Sequence, residues 1–296
     1  MSRSIFLTGV LFALASALFP ALSHSFAKVL TSHYHPVVIV FFRCFISLII
    51  LTGWAIVTGN QSIYKTERLQ SNLVRGTLGT LSVIVILHAY ATLPVGDIAA
   101  ILNISPLISV TLAMVFLGEK IGWRRACILA VGFSGVILMA QPSGKIPFNG
   151  LLIGLAAATG IAIVTVLIRH LGKTESSLTM TFYFSLIGTV ITGAMLPFYW
   201  NGWDQDLVWL VILVGIFGLW AQLSHAQALK YLPIAIKEPI GYTFFLWSIL
   251  LGFLIWHHVP TPIVLMGGSL VIISNLLLVF VEYRKNKADH QEVVVL

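Results

Sequence analysis

Three consecutive residues, Lys237, Glu238 and Pro239, stand inside an apolar run that reaches from Ile234 to Trp256. A charged group at the centre of a membrane-crossing helix costs about 2.5–3.5 kcal/mol on insertion scales, so each charge here needs an internal partner or water. Neighbouring helix positions point about 100° apart, so the two charges need not pair with each other. Pro239 removes a backbone donor and frees a carbonyl one turn earlier, which is tolerable only where protein or water satisfies it. This chemistry suits a polar site for a small charged solute. Tyr242, one turn beyond Glu238, can set a ring beside the charge.

A second interrupted run, Val95 to Leu117, carries Asp97, Asn103 and Pro106 in "VGDIAAILNISP". Proline-broken segments at matching places of two halves point to a midplane site. In the first apolar run Ser16, Pro20, His24 and Lys28 recur every four residues and stack on one helical face, as do Gly218, Gln222 and His225 later in the chain. The candidate substrate contacts are therefore Lys237, Glu238, Tyr242, Asn103, His24, His225, Gln222, Arg43 and Trp220. The candidate proton carriers are Glu238, Asp97 and His88, with His24 and His225 considered for the same task. Plainer readings stay open. Pro94 and Pro233 can simply start helices, and Asp97 and Lys237 can lie shallow enough to reach interfacial water. The histidines can be packing residues, Arg43 can anchor a neighbouring helix, and most of the aromatics can face lipid.

The elements that hold these residues follow from composition. Hydrophobic residues make up 58% of the 296, charged residues 9%, and mean hydropathy is +0.98, against about 25% charged in a soluble domain. Runs long enough to cross a ~30 Å hydrocarbon core lie at Ile5 to Leu30, Pro36 to Val57, Leu73 to Thr92, Val95 to Leu117 and Arg125 to Ala140. They recur at Leu151 to His170, Leu178 to Trp200, Leu207 to Leu229, Ile234 to Trp256 and Pro262 to Val281. The expected fold is an all-α polytopic membrane protein of ten transmembrane helices. No inserted soluble domain is expected, because the longest loop runs only from Thr58 to Asn72. Ala15-Ser16-Ala17 resembles a leader cleavage site, but the run is long and takes part in the internal repeat described next. Cys44 and Cys127 have no disulfide or metal spacing and read as packing residues. No H-E-x-x-H, G-x-S-x-G or P-loop is present, so neither an enzyme nor a bound cofactor is expected.

The second half repeats the first. Leu93-Pro94 and Leu232-Pro233 are 139 residues apart, and the same offset pairs Gly79 with Gly218 and His88 with Gln227. An offset of 141 pairs Ala15 with Ala156, Lys28 with Arg169, Leu30 with Leu171, and Phe41-Phe42 with Phe182-Tyr183. Five spans per unit, an odd number, make the copies antiparallel. The expected division is residues 1–141 for the first unit, 142–283 for the inverted second, and 284–296 for a cytoplasmic tail. With the amino terminus inside, thirteen of seventeen Lys and Arg fall on the cytoplasmic side: Arg3, Lys65, Arg68, Arg75, Lys120, Arg124, Arg125, Arg169, Lys173, Lys230, Arg284, Lys285 and Lys287. Only Lys145 falls in an outer loop. Both termini are then cytoplasmic, and the net charge of +7 is a topology signal rather than a nucleic-acid footprint.

The order and spacing of several short motifs resemble the drug/metabolite transporter superfamily, and within it the bacterial ten-span branch with two EamA-type repeats. They are "FFR" at Phe41-Phe42-Arg43, "LVRG" ending at Gly76, Leu93-Pro94, "SPL" ending at Leu107, "LGEKI" at Leu117 to Ile121, "GFSGVIL" from Gly132, and Glu238-Pro239. The resemblance covers about residues 5–283. It implies a central cavity between the two halves, lined largely by spans one, three, four, six, eight and nine. Two departures stand out: His257-His258 replace the Gly118-Glu119 of the first repeat, and Lys237 directly precedes the Glu-Pro pair. The first makes Glu119 read as an interfacial cap. The second gives the site both signs, as suits a zwitterionic or acidic metabolite. The resulting expectation is a secondary transporter in the bacterial inner membrane, moving a small polar organic solute (amino-acid-like, amine or nucleotide-like) by alternating access. Efflux is the narrower reading, with coupling to protons or exchange open. Its partners are the small-molecule substrate and membrane lipid, not nucleic acid, and a homodimer stays open. The non-transport alternative is a membrane scaffold whose buried charges bind partner helices.

Overall fold

Apolar runs this long leave too little polar surface to coat a soluble body, and the helices accordingly turn large hydrophobic side chains outward. Val57 is 87% exposed, Phe198 83% and Phe116 72%. Exposure on that scale belongs in lipid. A computed structural model describes residues 3–92, 101–119, 122–140, 147–202, 204–256 and 261–294, and among these the regular structure is entirely helical. The helices are α1 (Arg3–Leu30), α2 (Pro36–Thr58), α3 (Leu69–Thr92), α4 (Ser105–Leu117), α5 (Trp123–Ala140), α6 (Phe148–Leu171), α7 (Ser177–Tyr199), α8 (Val208–Tyr231), α9 (Ile234–Gly241), α10 (Thr243–Trp256) and α11 (Pro262–Val294). Nine stretches among the described residues are long and apolar enough to cross a bilayer, one of them formed by α9 and α10 together. The shorter apolar α4 completes an all-α polytopic membrane protein of ten apolar helical runs.

Local chemistry sets the helix ends. His35 precedes Pro36 at the start of α2, and its Nδ1 accepts from the Val37 N–H at 3.3 Å. Ser176 caps α7 through the Thr179 N–H at 3.0 Å. Gly59 and Gly118 end α2 and α4 at φ of +67° and +66°, a left-handed conformation that disfavours any residue with a Cβ. Several boundaries differ from the sequence reading: α3 begins at Leu69 rather than Leu73, α5 at Trp123 rather than Arg125, α6 at Phe148 rather than Leu151, and α11 runs on to Val294 through residues read as tail.

Contacts between the halves come in pairs. α1 packs on α8 and α6 on α3; α2 packs on α8 and α7 on α3; α4 packs on α6, as α9 and α10 pack on α1. α2 with α7 and α5 with α11 are their own counterparts. Glycines carry the repeat into atomic contacts. A Cβ at Gly76 would run into the Ile187 side chain, and one at Gly215 would lie 2.6 Å from Ile46 Cβ. Gly76 and Gly215 are 139 apart, Ile46 and Ile187 141 apart. Small residues let the backbones approach where lipid offers no hydrophobic drive. At one end of the bundle the α2–α3, α4–α5, α6–α7 and α8–α9 connections are tied together. At the other end, the Asp204 N–H donates to Tyr34 Oη at 2.8 Å.

Candidate functional site

The site begins with a break in the ninth span. Pro239 has no N–H to offer the Ala235 carbonyl, so α9 stops after eight residues. The Tyr242 N–H turns back to the Pro239 carbonyl at 3.1 Å, and the Phe245 N–H to that of Tyr242 at 3.1 Å, before α10 continues. The break holds Lys237 and Glu238 in the bundle interior, their side chains each 7% exposed. The pairing that the sequence left open is made directly, Lys237 Nζ donating to Glu238 Oε1 at 3.1 Å. The four-methylene stem of lysine spans the angle that separates adjacent positions.

This pair forms part of the wall of a cavity of about 210 Å³. Ser16, Pro20 and His24 come from α1, Ile86 from α3, Leu102, Asn103, Ser105 and Pro106 from the start of the α4 run. Ile161 and Thr165 come from α6, His225 from α8, and Gly241, Phe244 and Phe245 from the α9–α10 break. Most of these are repeat counterparts. The 141 offset pairs Pro20 with Ile161 and His24 with Thr165; the 139 offset pairs Ile86 with His225, Leu102 with Gly241, Ser105 with Phe244 and Pro106 with Phe245. A cavity lined by both members of each pair lies between the repeats, where their symmetry axis would run. Its chemistry is not symmetric: where the first repeat supplies Ile86 the second supplies the His225 imidazole, and where the first supplies Ser105 and Pro106 the second supplies two phenylalanines. The lining thus offers groups that can hydrogen-bond and hold charge together with rings that can pack a flat or apolar portion. The volume suits a small metabolite rather than a drug-sized ligand, whose pockets are about 300–1,000 Å³.

Five of the sequence candidates, Lys237, Glu238, Asn103, His24 and His225, thus meet at one cavity. The others do not. Tyr242 is fully buried away from it, with its ring against Gly132 of α5, where a Cβ would come within 2.8 Å of Tyr242 Cδ2. The turn at Gly241 rotates it out of the register expected of an unbroken helix. Gln222 Oε1 accepts from Arg75 at 2.8 Å. The Arg43 side chain lies on Gly218, whose missing Cβ would stand 2.5 Å from Arg43 Nε. Trp220 is 50% exposed on the bundle's outer surface beside Phe19. His88 is exposed near the end of α3, and Asp97 lies outside the described residues.

Two features escaped the sequence reading. Arg75, counted there among the cytoplasmic-side charges, is fully buried inside α3. It donates to the Met180 carbonyl at 3.2 Å and to Gln222, with its guanidinium 4.6 Å from the Phe184 ring. Its neighbour Gly76, counterpart of the mid-span Gly215, was the available signal. Glu119, read as an interfacial cap, joins four elements: Oε1 meets Arg169 Nε at 3.0 Å and Oε2 accepts the Ile234 N–H at 3.0 Å. Arg169 also donates to the carbonyls of Leu229 and Lys230, at 2.6 and 3.2 Å. Among the described residues, no group of three or more His, Cys, Asp and Glu side chains could hold a metal ion.

A duplicated helical bundle of ten apolar runs around a small, largely apolar cavity that holds a buried ion pair defines a membrane transporter architecture. The EamA-like transporter family model matches residues 7–141 and again 148–280, and the chain belongs to that family. It is 23% identical over 287 residues to the S-adenosylmethionine uptake transporter of Rickettsia prowazekii, covering 97% of each chain. It is 23% identical over 276 residues to the pseudopaline exporter CntI of Pseudomonas aeruginosa, covering 92% of this chain and 95% of that one. With human solute carrier family 35 member G1 the identity is 26% over 288 residues. A solved crystal structure superposes with a TM-score of 0.79 at 15% identity over 96% of this chain and 99% of that one, a likeness of fold. Members similar to this chain are named as transporters, not enzymes, and the chain is a small-molecule transporter of the membrane.

Proposed function

We propose that the chain is a secondary transporter that moves a small zwitterionic organic metabolite, amino-acid-like at the recognised end, across a bacterial inner membrane by alternating access. Its two units, residues 1–141 and 142–283, stand inverted with both termini in the cytoplasm. The paired contacts between halves support that arrangement. The observation that carries the reading is the Lys237–Glu238 pair, buried at 3.1 Å in the wall of a cavity between the repeats. Such a pair is ready to be exchanged. A solute carboxylate takes the Lys237 ammonium and a solute ammonium takes Glu238, so the bound solute replaces one buried ion pair with two and leaves no charge unmatched. Asn103, His24 and His225 add hydrogen bonds, and Phe244 and Phe245 pack against the solute's apolar part. Glu238 is also the group that would carry a coupling proton, since its protonation releases Lys237. Relatives of equal similarity are named for uptake and for export, so the fold serves either direction.

Proteoliposomes loaded in turn with pooled metabolites test this. Wild-type protein gives saturable flux of a zwitterionic solute, and Glu238→Ala abolishes it while remaining folded. Absence of saturable flux for every pool, with and without a pH gradient, refutes transport.

A further inference from the structure

Exchange at Lys237 and Glu238 matches those two charges and leaves two more in the bundle interior unanswered. Arg43 of α2 and Arg75 of α3 are both buried, and a guanidinium keeps its charge in a protein. Their contacts are with neutral groups. Arg75 donates to the Met180 carbonyl and to Gln222 Oε1 and lies on the Phe184 ring, while Arg43 lies on Gly218. Among the described residues neither has a carboxylate within ion-pairing distance. Both guanidiniums meet α8 along the stripe of Gly218, Gln222 and His225, whose last member lines the cavity. His24 of the cavity wall is within electrostatic reach of Arg43, and His225 of Lys237 and Arg75.

The chain's ten acidic residues do not redress this balance. Glu119 is joined to Arg169, and Glu175 to the α2–α3 connection, at one end of the bundle. Glu67, Asp204 and Asp206 are exposed in connections. Glu282, Asp289 and Glu292 follow the apolar part of α11, which ends at Val281. Asp97 lies outside the described residues. Counted with Glu238 it still makes only two carboxylates against Arg43, Arg75 and Lys237, so the interior keeps at least one positive charge. Charge of one sign around a cleft with low-dielectric walls focuses its field on whatever enters.

We infer that the transported solute is a net anion, bearing an acidic group in addition to the ammonium and carboxylate that Glu238 and Lys237 receive. The inference rests on the transport reading and narrows its substrate class from zwitterions at large to acidic ones. The added group answers Arg43 and Arg75 through the field rather than by contact, since neither guanidinium forms part of the lining. A unit charge acting across on the order of 10 Å at an effective dielectric constant of about 20 changes affinity roughly tenfold.

Metabolite pools separated at neutral pH into anionic, zwitterionic and cationic fractions are loaded in turn into proteoliposomes. Saturable flux is expected from the anionic pool, in a component that also carries an amine. Flux from the zwitterionic or cationic pool alone overturns the inference and leaves the transport reading standing; no saturable flux from any pool overturns both. The anionic solute is then compared by KM with its analogue in which the extra acidic group is amidated or esterified. The parent protein favours the anion, Arg75→Gln loses about tenfold of that preference, and Arg75→Lys keeps it. The preference is a ratio measured on one protein, so lost stability or yield does not imitate it. Where Arg75→Gln does not fold, Arg43→Gln gives the same reading. A preference unchanged on neutralising either arginine overturns the inference.

Discussion

Replacing Lys237 with methionine leaves Glu238 buried with no counter-charge beside it. Removing one partner of a buried ion pair typically destabilises by about 3–5 kcal/mol, and because the cavity offers water on one side the lower end of that range applies here. Replacing both residues, Lys237→Met with Glu238→Gln, removes the stranded charge and retains similar volume, so most of the stability returns, to within about 1 kcal/mol of the parent. Flux does not return, since neither end of a zwitterion then finds its partner. Unfolding titrations in mixed micelles give the stabilities and proteoliposome assays give the flux. The two quantities separate a structural pair from a binding pair. The reasoning is refuted if the double variant transports, or if the single variant loses less than about 1 kcal/mol.

Three other outcomes follow from the same structure. Gly218→Ala sets a methyl group 2.5 Å from Arg43 Nε and displaces that side chain; overpacking of this kind costs about 1–3 kcal/mol, read in the same titration. Gly132→Ala drives against the Tyr242 ring and shifts the α9–α10 break, so it lowers stability by a similar amount and weakens flux, although it lies outside the cavity. His35, in the α1–α2 connection, is held below the ordinary histidine pKa of 6.5, first by burial and then by the neighbouring His88. The folded state favours the neutral ring that accepts the Val37 N–H and stacks 3.9 Å from Tyr199. Its stabilising contribution is therefore present above pH 6.5 and lost as pH falls below it. Melting temperature should decline below pH 6.5 in the parent protein and less steeply in His35→Asn, which keeps an acceptor cap but gains no proton.

Much of the architecture was legible because lipid imposes a simple rule: long apolar runs become helices, and the limits of α2, α7 and α8 fall within a few residues of those read from the sequence. The repeat was legible for the same reason, since its offsets keep residues such as Gly79 and Gly218 in register. Charges were harder to place. Arg75 lies close to a loop in the linear sequence and reads as an interfacial cation, yet Gln222 and the Met180 carbonyl draw it inward from helices more than a hundred residues away. Stripes on α1 and α8 pointed to His24 and His225, because a regular helix fixes the direction of each side chain. Tyr242 was misplaced where that regularity fails, one residue past Gly241. The roles of Glu119 and Arg169 depend on the meeting of four helix ends, which no single run encodes.

A structure determined with the transported solute bound tests the central claim most directly. The account requires the solute between Lys237 and Glu238, with the 3.1 Å contact opened beyond hydrogen-bonding reach and each charge paired to the solute instead. A solute held elsewhere, with Lys237 and Glu238 still joined to each other, would contradict it.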